Sequence, residues 1–282
     1  MQRKFIFFCI IKLKAGKLLI TLFLLSSLCM SCEWKLKPLS EKEEGKVFAV
    51  QRYDRLESLY LTTGDFSALQ QMETDYPMET RTLIENVLKL GVIDDHEINN
   101  RFLAYFQNAT LQSLISDAEA QYANMDDINQ QLDAAFTKLR QHIPDMPIPV
   151  VYTQITSLDQ SIVIGDGMVG ISLDKYLGKD YELYKRYYSE QQRSSMNRYN
   201  IVPDCLCFYL ISLYQVDDFE SRTQEDRDLH MGKVMWMTNF ALGKKFFKTK
   251  YVNMIDTYMV THPSFTIDEL LKMNDYTAIK NQ

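Results

Sequence analysis

A chain of 282 residues, 46% of them hydrophobic and 24% charged, holds enough apolar material for one folded core, and its composition is not that of a disordered, collagenous or disulfide-dense protein. Its 31 Lys and Arg stand against 37 Asp and Glu, and the first 31 residues contain five of the basic residues and no acidic one. The rest therefore carries 26 basic against 37 acidic residues, a formal charge of −11, which argues against a nucleic-acid partner and against a basic face laid on anionic lipid.

The amino terminus reads as an export signal. Arg3, Lys4, Lys12, Lys14 and Lys17 form a basic region, and the apolar run Leu18 to Leu28 is too short for a hydrocarbon layer of ~30 Å, which needs ~20 residues. The following Leu28-Cys29-Met30-Ser31-Cys32 resembles a bacterial lipoprotein signal, with cleavage after Ser31 and acylation of Cys32, although Cys29 stands where a leucine is usual. An ordinary secretory signal or an uncleaved anchor is the alternative. Acyl chains contribute ~0.8 kcal/mol per buried methylene, so several together hold a protein firmly on a membrane. The expected division is a signal at 1–31, a polar Lys/Glu-rich tether at 32–46 and a single globular domain at 47–282. Cys9 and Cys29 leave with the signal. Cys205 and Cys207, two apart on a helix, point to nearly opposite sides and read as small buried hydrophobes.

Helical spacing dominates residues 47 to 142. Val47, Val50, Tyr53, Leu56 and Leu59 recur at three-residue steps, behind a short extended entry at Val47 to Val50. Asp65 caps a helix from Phe66 to Asp75 that Pro77 ends, and Glu79 to Leu90 closes at Gly91 in the left-handed conformation. Asp94 or Asp95 restarts a helix through Phe106, and Leu111 to Tyr122 follows. Asp126 caps the next, in which Ile128, Leu132, Ala135, Phe136 and Leu139 form one stripe up to His142.

Pro144, Pro147 and Pro149 mark a change of architecture. Val150 to Ile155, Ile162 to Gly165 and Met168 to Leu173 read as strands, the last two joined through Gly165-Asp166-Gly167 as a hairpin. That turn lacks the strand, glycine-loop and helix order of a nucleotide fingerprint. Helical pattern returns with Tyr176 and Leu177 and the aromatic run Tyr181 to Tyr188, then a helix opened by Pro203 whose body, Cys205 to Tyr214, is apolar almost all round. A further helix runs from Gln224 to Phe247, acidic at its start and basic at its end. The capping box Thr266-Ile267-Asp268-Glu269 opens a last short helix. The fold class is α+β, mostly helical with a small antiparallel sheet.

The four histidines, His96, His142, His230 and His262, are too far apart for two to face one metal from adjacent turns of a helix. His96-Glu97 has Asn100 where a zinc peptidase would need its second histidine. There is no G-x-S-x-G, and a thiolate at Cys205 or Cys207 would be disfavoured by desolvation. No metal or cofactor is expected. The most plausible polar centre is Asp174, Asp204 and His230, with a cap or dipole partner as the plainer role of Asp204.

Several segments carry a family likeness: Val47 to Tyr60 with Arg52-Tyr53-Asp54, Tyr76-Pro77, Ile171 to Gly178 (ISLDKYLG), Arg198 to Asp204 (RYNIVPD) and Gly232 to Trp236 (GKVMW). In order and spacing they resemble the GldB family of gliding-motility lipoproteins of the Bacteroidetes. That family in turn looks like a distant relative of predicted zinc-dependent peptidases, which implies a zincin-like fold. The helix that should carry His-Glu-x-x-His would be Asp204 to Tyr214, with no histidine or glutamate, and the later glutamate place is Met231 before Gly232. The resemblance also implies further residues after the capping-box helix, so a chain stopping at Gln282 reads as a short variant. The expected function is a non-enzymatic, lipid-anchored outer-membrane component with envelope protein partners. The alternatives are an envelope hydrolase of non-standard residues and a carbohydrate-handling surface lipoprotein.

Overall fold

The computed structural model describes residues 48–281. The signal, Cys32, the tether and Val47 lie outside the described residues.

Among the described residues, seven helical segments precede the sheet. The chain enters extended, and Gln51 pairs with the first strand through Gln51 N–H to Val151 O (2.8 Å) and Thr153 N–H to Gln51 O (3.0 Å). Helix α1 (Tyr53–Thr63) buries Tyr53, Asp54, Glu57, Ser58, Tyr60 and Leu61, a face rotated from the three-residue stripe, and Leu59 is 43% exposed. Asp65 caps α2 (Phe66–Asp75) by accepting from Ser67 and Ala68 N–H. As expected, α2 stops at Asp75, where Tyr76 before Pro77 leaves the helical conformation, and Pro77 then opens α3 (Pro77–Arg81) at its first position, where a missing N–H costs nothing. The chain then widens into a π-helical turn (Thr82–Val87). The segment does not close at Gly91 as expected: Lys89 takes the left-handed conformation (φ 54°), while Gly91 has φ 143° and lies where a Cβ would meet the Arg101 guanidinium at 2.8 Å.

Helices α4 (Ile98–Tyr105), α5 (Ala109–Gln121, capped by Asn108) and α6 (Asp126–His142) follow. Asn124 rather than Asp126 supplies the capping oxygen at α6, accepting the Asp126 N–H at 2.8 Å. The predicted stripe of α6 is buried in full.

Strands β1 (Val150–Gln154), β2 (Ile162–Gly165) and β3 (Met168–Ser172) lie in the order β1-β3-β2. The hairpin β2–β3 is antiparallel, with Gly167 at φ 67° in its turn, but β1 runs parallel to β3, so the sheet is mixed. The reason is the loop Ile155 to Ser161, which carries the chain past β3 to its far side. Tyr152 lies opposite Gly170, where a Cβ would meet the tyrosine ring at 2.7 Å.

A 3-10 turn (Leu173–Lys175), short helices α7 (Glu182–Tyr187) and α8 (Glu190–Arg193), and another 3-10 turn lead into α9 (Ile201–Leu213). This helix packs on β2 and β3 on one side and on α6 and α10 (Gln224–Leu242) on the other, and both cysteines are buried in it as free thiols. Only Phe208, 43% exposed, breaks its burial strongly.

Helix α10 stops at Leu242 and not at Phe247. Gly243 turns left-handed (φ 65°), and Asn239 Oδ1 accepts the Phe246 and Phe247 N–H groups at 2.9 and 2.8 Å, holding Gly243 to Phe247 as a loop. The apolar pair Phe246-Phe247 prolongs the helical spacing past the glycine that terminates it. Helices α11 (Lys250–Thr261), α12 (Ile267–Lys272) and α13 (Thr277–Lys280) complete the chain, and Thr266 with Glu269 forms the predicted capping box. One large core spans the helices and the sheet; a smaller one joins Leu229 to Ile255, Tyr258, Leu270, Tyr276 and Ile279.

Candidate functional site

Asp174, in the 3-10 turn two residues past the end of β3, is fully buried. Its Oδ1 accepts the Thr156 N–H at 3.0 Å and its Oδ2 the Leu158 N–H at 2.6 Å, so it secures the loop after β1. Glu57 on α1 assists, its Oε2 accepting the Ile155 N–H at 2.8 Å, while its Oε1 is buried without a hydrogen-bond partner among the described residues. Burial holds both carboxyls above their ordinary range, Glu57 well above it. The Leu158 carbonyl is held as well, accepting from Lys175 Nζ (3.2 Å) and from the Tyr188 hydroxyl (2.9 Å).

This restraint matters because Ser157 and Leu158 are both left-handed, at φ 55° and 67°. Left-handed geometry costs a non-glycine residue roughly 1–2 kcal/mol, and it persists where surroundings over-determine it. With Lys89, three of the four left-handed non-glycine residues among the described residues line one groove of about 610 Å³. Tyr105, Tyr187 and Tyr188 contribute aromatic walls, and Tyr187 is 68% exposed.

Asp204 and His230 stand elsewhere. Asp204, on the first turns of α9, makes no cap; it accepts the Tyr176 hydroxyl at 2.9 Å, and burial pushes it up to about 6. His230 on α10 shares a 3.1 Å hydrogen bond with the Tyr276 hydroxyl, and burial, with Lys233 and Arg222 nearby, lowers it to about 4. Lys233 beside it is fully buried and gives its ammonium to the Leu271 and Met273 carbonyls, both at 2.9 Å. No hydrogen bond or ion pair joins any two of Asp174, Asp204 and His230 among the described residues. Nor, among those residues, does any group of three or more His, Cys, Asp or Glu lie close enough to share a metal ion.

A family model described as gliding motility protein GldB matches residues 37–251. The chain belongs to the GldB family. No curated protein and no solved structure matches it. The GldB-like segments acquire physical roles in the fold. Arg52 grips Asp54 with two hydrogen bonds of 2.8 and 2.7 Å, and Asp54 also accepts from Thr153 of β1. Tyr53 and Tyr76 pack with ring centroids 5.6 Å apart. In ISLDKYLG, Asp174 and Lys175 clamp Leu158, while Tyr176 reaches Asp204 of RYNIVPD. In GKVMW, Gly232 lets α10 and α11 cross, since a Cβ there would meet Tyr251 Cβ at 2.6 Å.

Glu57 escaped the sequence reading, because the three-residue stripe through Leu56 and Leu59 sets it off the buried face; its helical spacing from Tyr53, Tyr60 and Leu61 was the signal that could have found it. Ser157 and Leu158 left no such signal, because neither residue type favours left-handed backbone.

Proposed function

We propose that this chain is a lipoprotein, held through acylated Cys32 at the outer membrane, that serves cell-envelope machinery of the gliding type by binding an envelope protein and not by catalysis. The observation that carries the reading is the groove beside Leu158. Its wall is strained backbone, clamped from behind by Asp174, Glu57 and Lys175, a preorganisation that favours a bound segment by reducing what must be ordered on binding. Family membership supports the envelope setting. In this reading the zincin-like frame suggested by the sequence is used as a scaffold.

A photo-crosslinking residue placed at Tyr187 should capture one discrete envelope protein in cells. The same residue at Phe66, 78% exposed on α2, serves as control. Equal labelling at both positions would dispose of the groove as a binding surface. Cys32→Ser should separately abolish lipid labelling and release the protein from the outer-membrane fraction.

One arrangement favours a second reading, an envelope hydrolase: Asp204 is held by the Tyr176 hydroxyl at 2.9 Å, and burial pushes its carboxyl up to about 6, towards the range of a general acid. Loss of a hydrolytic activity in Asp204→Asn with the fold intact would support it.

A further inference from the structure

The overall negative charge conceals a local reversal. Between α10, α11 and the loop joining them lies a cleft of about 330 Å³ lined by Lys138, Lys244, Lys245 and Lys248, with Asp256 as the one carboxylate in its lining. Trp236, Phe240 and Phe247 form its apolar floor, with Trp236 stacked on Phe240 at 5.9 Å between centroids. Lys245 is engaged with Asp256 at 3.1 Å, and Asp256 also accepts the Trp236 Nε1–H at 3.0 Å. Lys138, Lys244 and Lys248 make no ion pair among the described residues. Lys138 lies over the Phe240 ring at 4.3 Å and Lys244 over Tyr199 at 4.4 Å, so each is positioned by an aromatic face without being neutralised.

The cleft is also built to hold its shape. Asn239, 8% exposed, fixes the lysine-bearing loop by accepting from Phe246 and Phe247 N–H and donating to the Phe247 carbonyl at 2.8 Å. The start of α11 contributes Val252 and Asn253 to the same wall.

We propose that this cleft binds a phosphate-bearing ligand, its anionic group held by Lys138, Lys244 and Lys248 and its uncharged part laid on Trp236, Phe240 and Phe247. Three unpaired ammonium groups match a phosphate, a compact multivalent anion that lysine contacts as a point charge. The volume is that of a small ligand, pockets for which begin at ~300 Å³. The source can be a soluble phosphate ester or the headgroup of an anionic phospholipid. The inference is independent of the groove and of acylation.

Trp236 makes the test direct, because the chain has two tryptophans and Trp34→Phe leaves it as the sole reporter. Mature protein in detergent would be titrated with inorganic phosphate, glycerol phosphate and dihexanoyl phosphatidylglycerol, with dihexanoyl phosphatidylcholine and potassium chloride of equal ionic strength as controls. A saturable change in Trp236 emission with an anionic probe, weakened about 10-fold or more in Lys138→Gln/Lys244→Gln/Lys248→Gln, is expected. Saturation by phosphatidylglycerol alone identifies a headgroup site; saturation by glycerol phosphate or phosphate identifies a soluble ester site. No saturable response to any anionic probe, undiminished affinity in the triple variant, or an equal response to phosphatidylcholine overturns the proposal. Should the triple variant fail to fold, Asp256→Asn decides: tighter anion binding supports the site, and unchanged or weaker binding overturns it.

Discussion

The Tyr176 hydroxyl donates to the Asp204 carboxylate at 2.9 Å, joining the two most distinctive family segments, Ile171 to Gly178 and Arg198 to Asp204, across the interface of the sheet with α9. Burial raises Asp204 to about 6, so the folded state keeps a proton that the unfolded state releases near 3.8. Between those values the folded chain binds more protons, and stability falls as pH rises. Asp204→Asn removes this dependence. Its stability relative to the parent should climb by on the order of 3 kcal/mol from pH 4 to pH 7, seen in urea unfolding at both pH values.

Asp174→Ala strips the acceptors from Thr156 and Leu158 N–H while leaving both groups buried or partly buried. An unsatisfied buried donor costs ~1–3 kcal/mol, so a loss of roughly 3 kcal/mol is expected. Faster hydrogen exchange should concentrate at Ile155 to Asp159. A loss spread evenly over the domain would contradict the clamp.

Gly232→Ala sets two effects against each other. Alanine gains up to ~1 kcal/mol of helix propensity over glycine, but its Cβ would stand 2.6 Å from Tyr251 Cβ and 3.0 Å from its backbone carbon, forcing α11 off α10. Overpacking of this kind costs typically ~1–3 kcal/mol, so net destabilisation is expected, read as a lower denaturation midpoint.

Lys233→Met leaves the Leu271 and Met273 carbonyls without their donor and should cost about 2 kcal/mol at neutral pH, with exchange protection lost first around α12 and α13. Burial lowers Lys233 to about 8 from 10.5, so between those values the unfolded chain holds more protons and stability rises with pH. The parent should therefore gain on the methionine variant between pH 8 and pH 10, and a flat difference would count against a buried ammonium.

Lys89→Gly should stabilise the domain by about 0.5–1 kcal/mol, measured as a higher thermal midpoint. Lys89 is exposed and left-handed at φ 54°, so glycine removes strain and costs only unfolded-state entropy.

Capping and patterning were readable where the determinants sit within a few residues of each other. Asp65 caps α2 through groups two and three residues on, Thr266 and Glu269 close their box over one turn, and α6 buries the stripe its spacing implies. The candidate polar centre was less legible. Each of Asp174, Asp204 and His230 is buried or partly buried and hydrogen-bonded, but each to a different element, because a charged residue in a sequence carries no mark of the partner that folding will bring to it.

By itself the sequence determined the mostly helical α+β class, the family, the β2–β3 hairpin and the helix starts set by nearby caps. The tertiary structure decided the parallel pairing of β1 with β3, the end of α10 at Leu242, the left-handed turn at Ser157 and Leu158 and the gathering of lysines in an acidic domain. The physical reason is range. A cap or a turn is satisfied by atoms a few residues away, whereas the Leu158 N–H finds Asp174 16 residues on, and the Ile155 N–H finds Glu57 across 98, only once the core has packed around them.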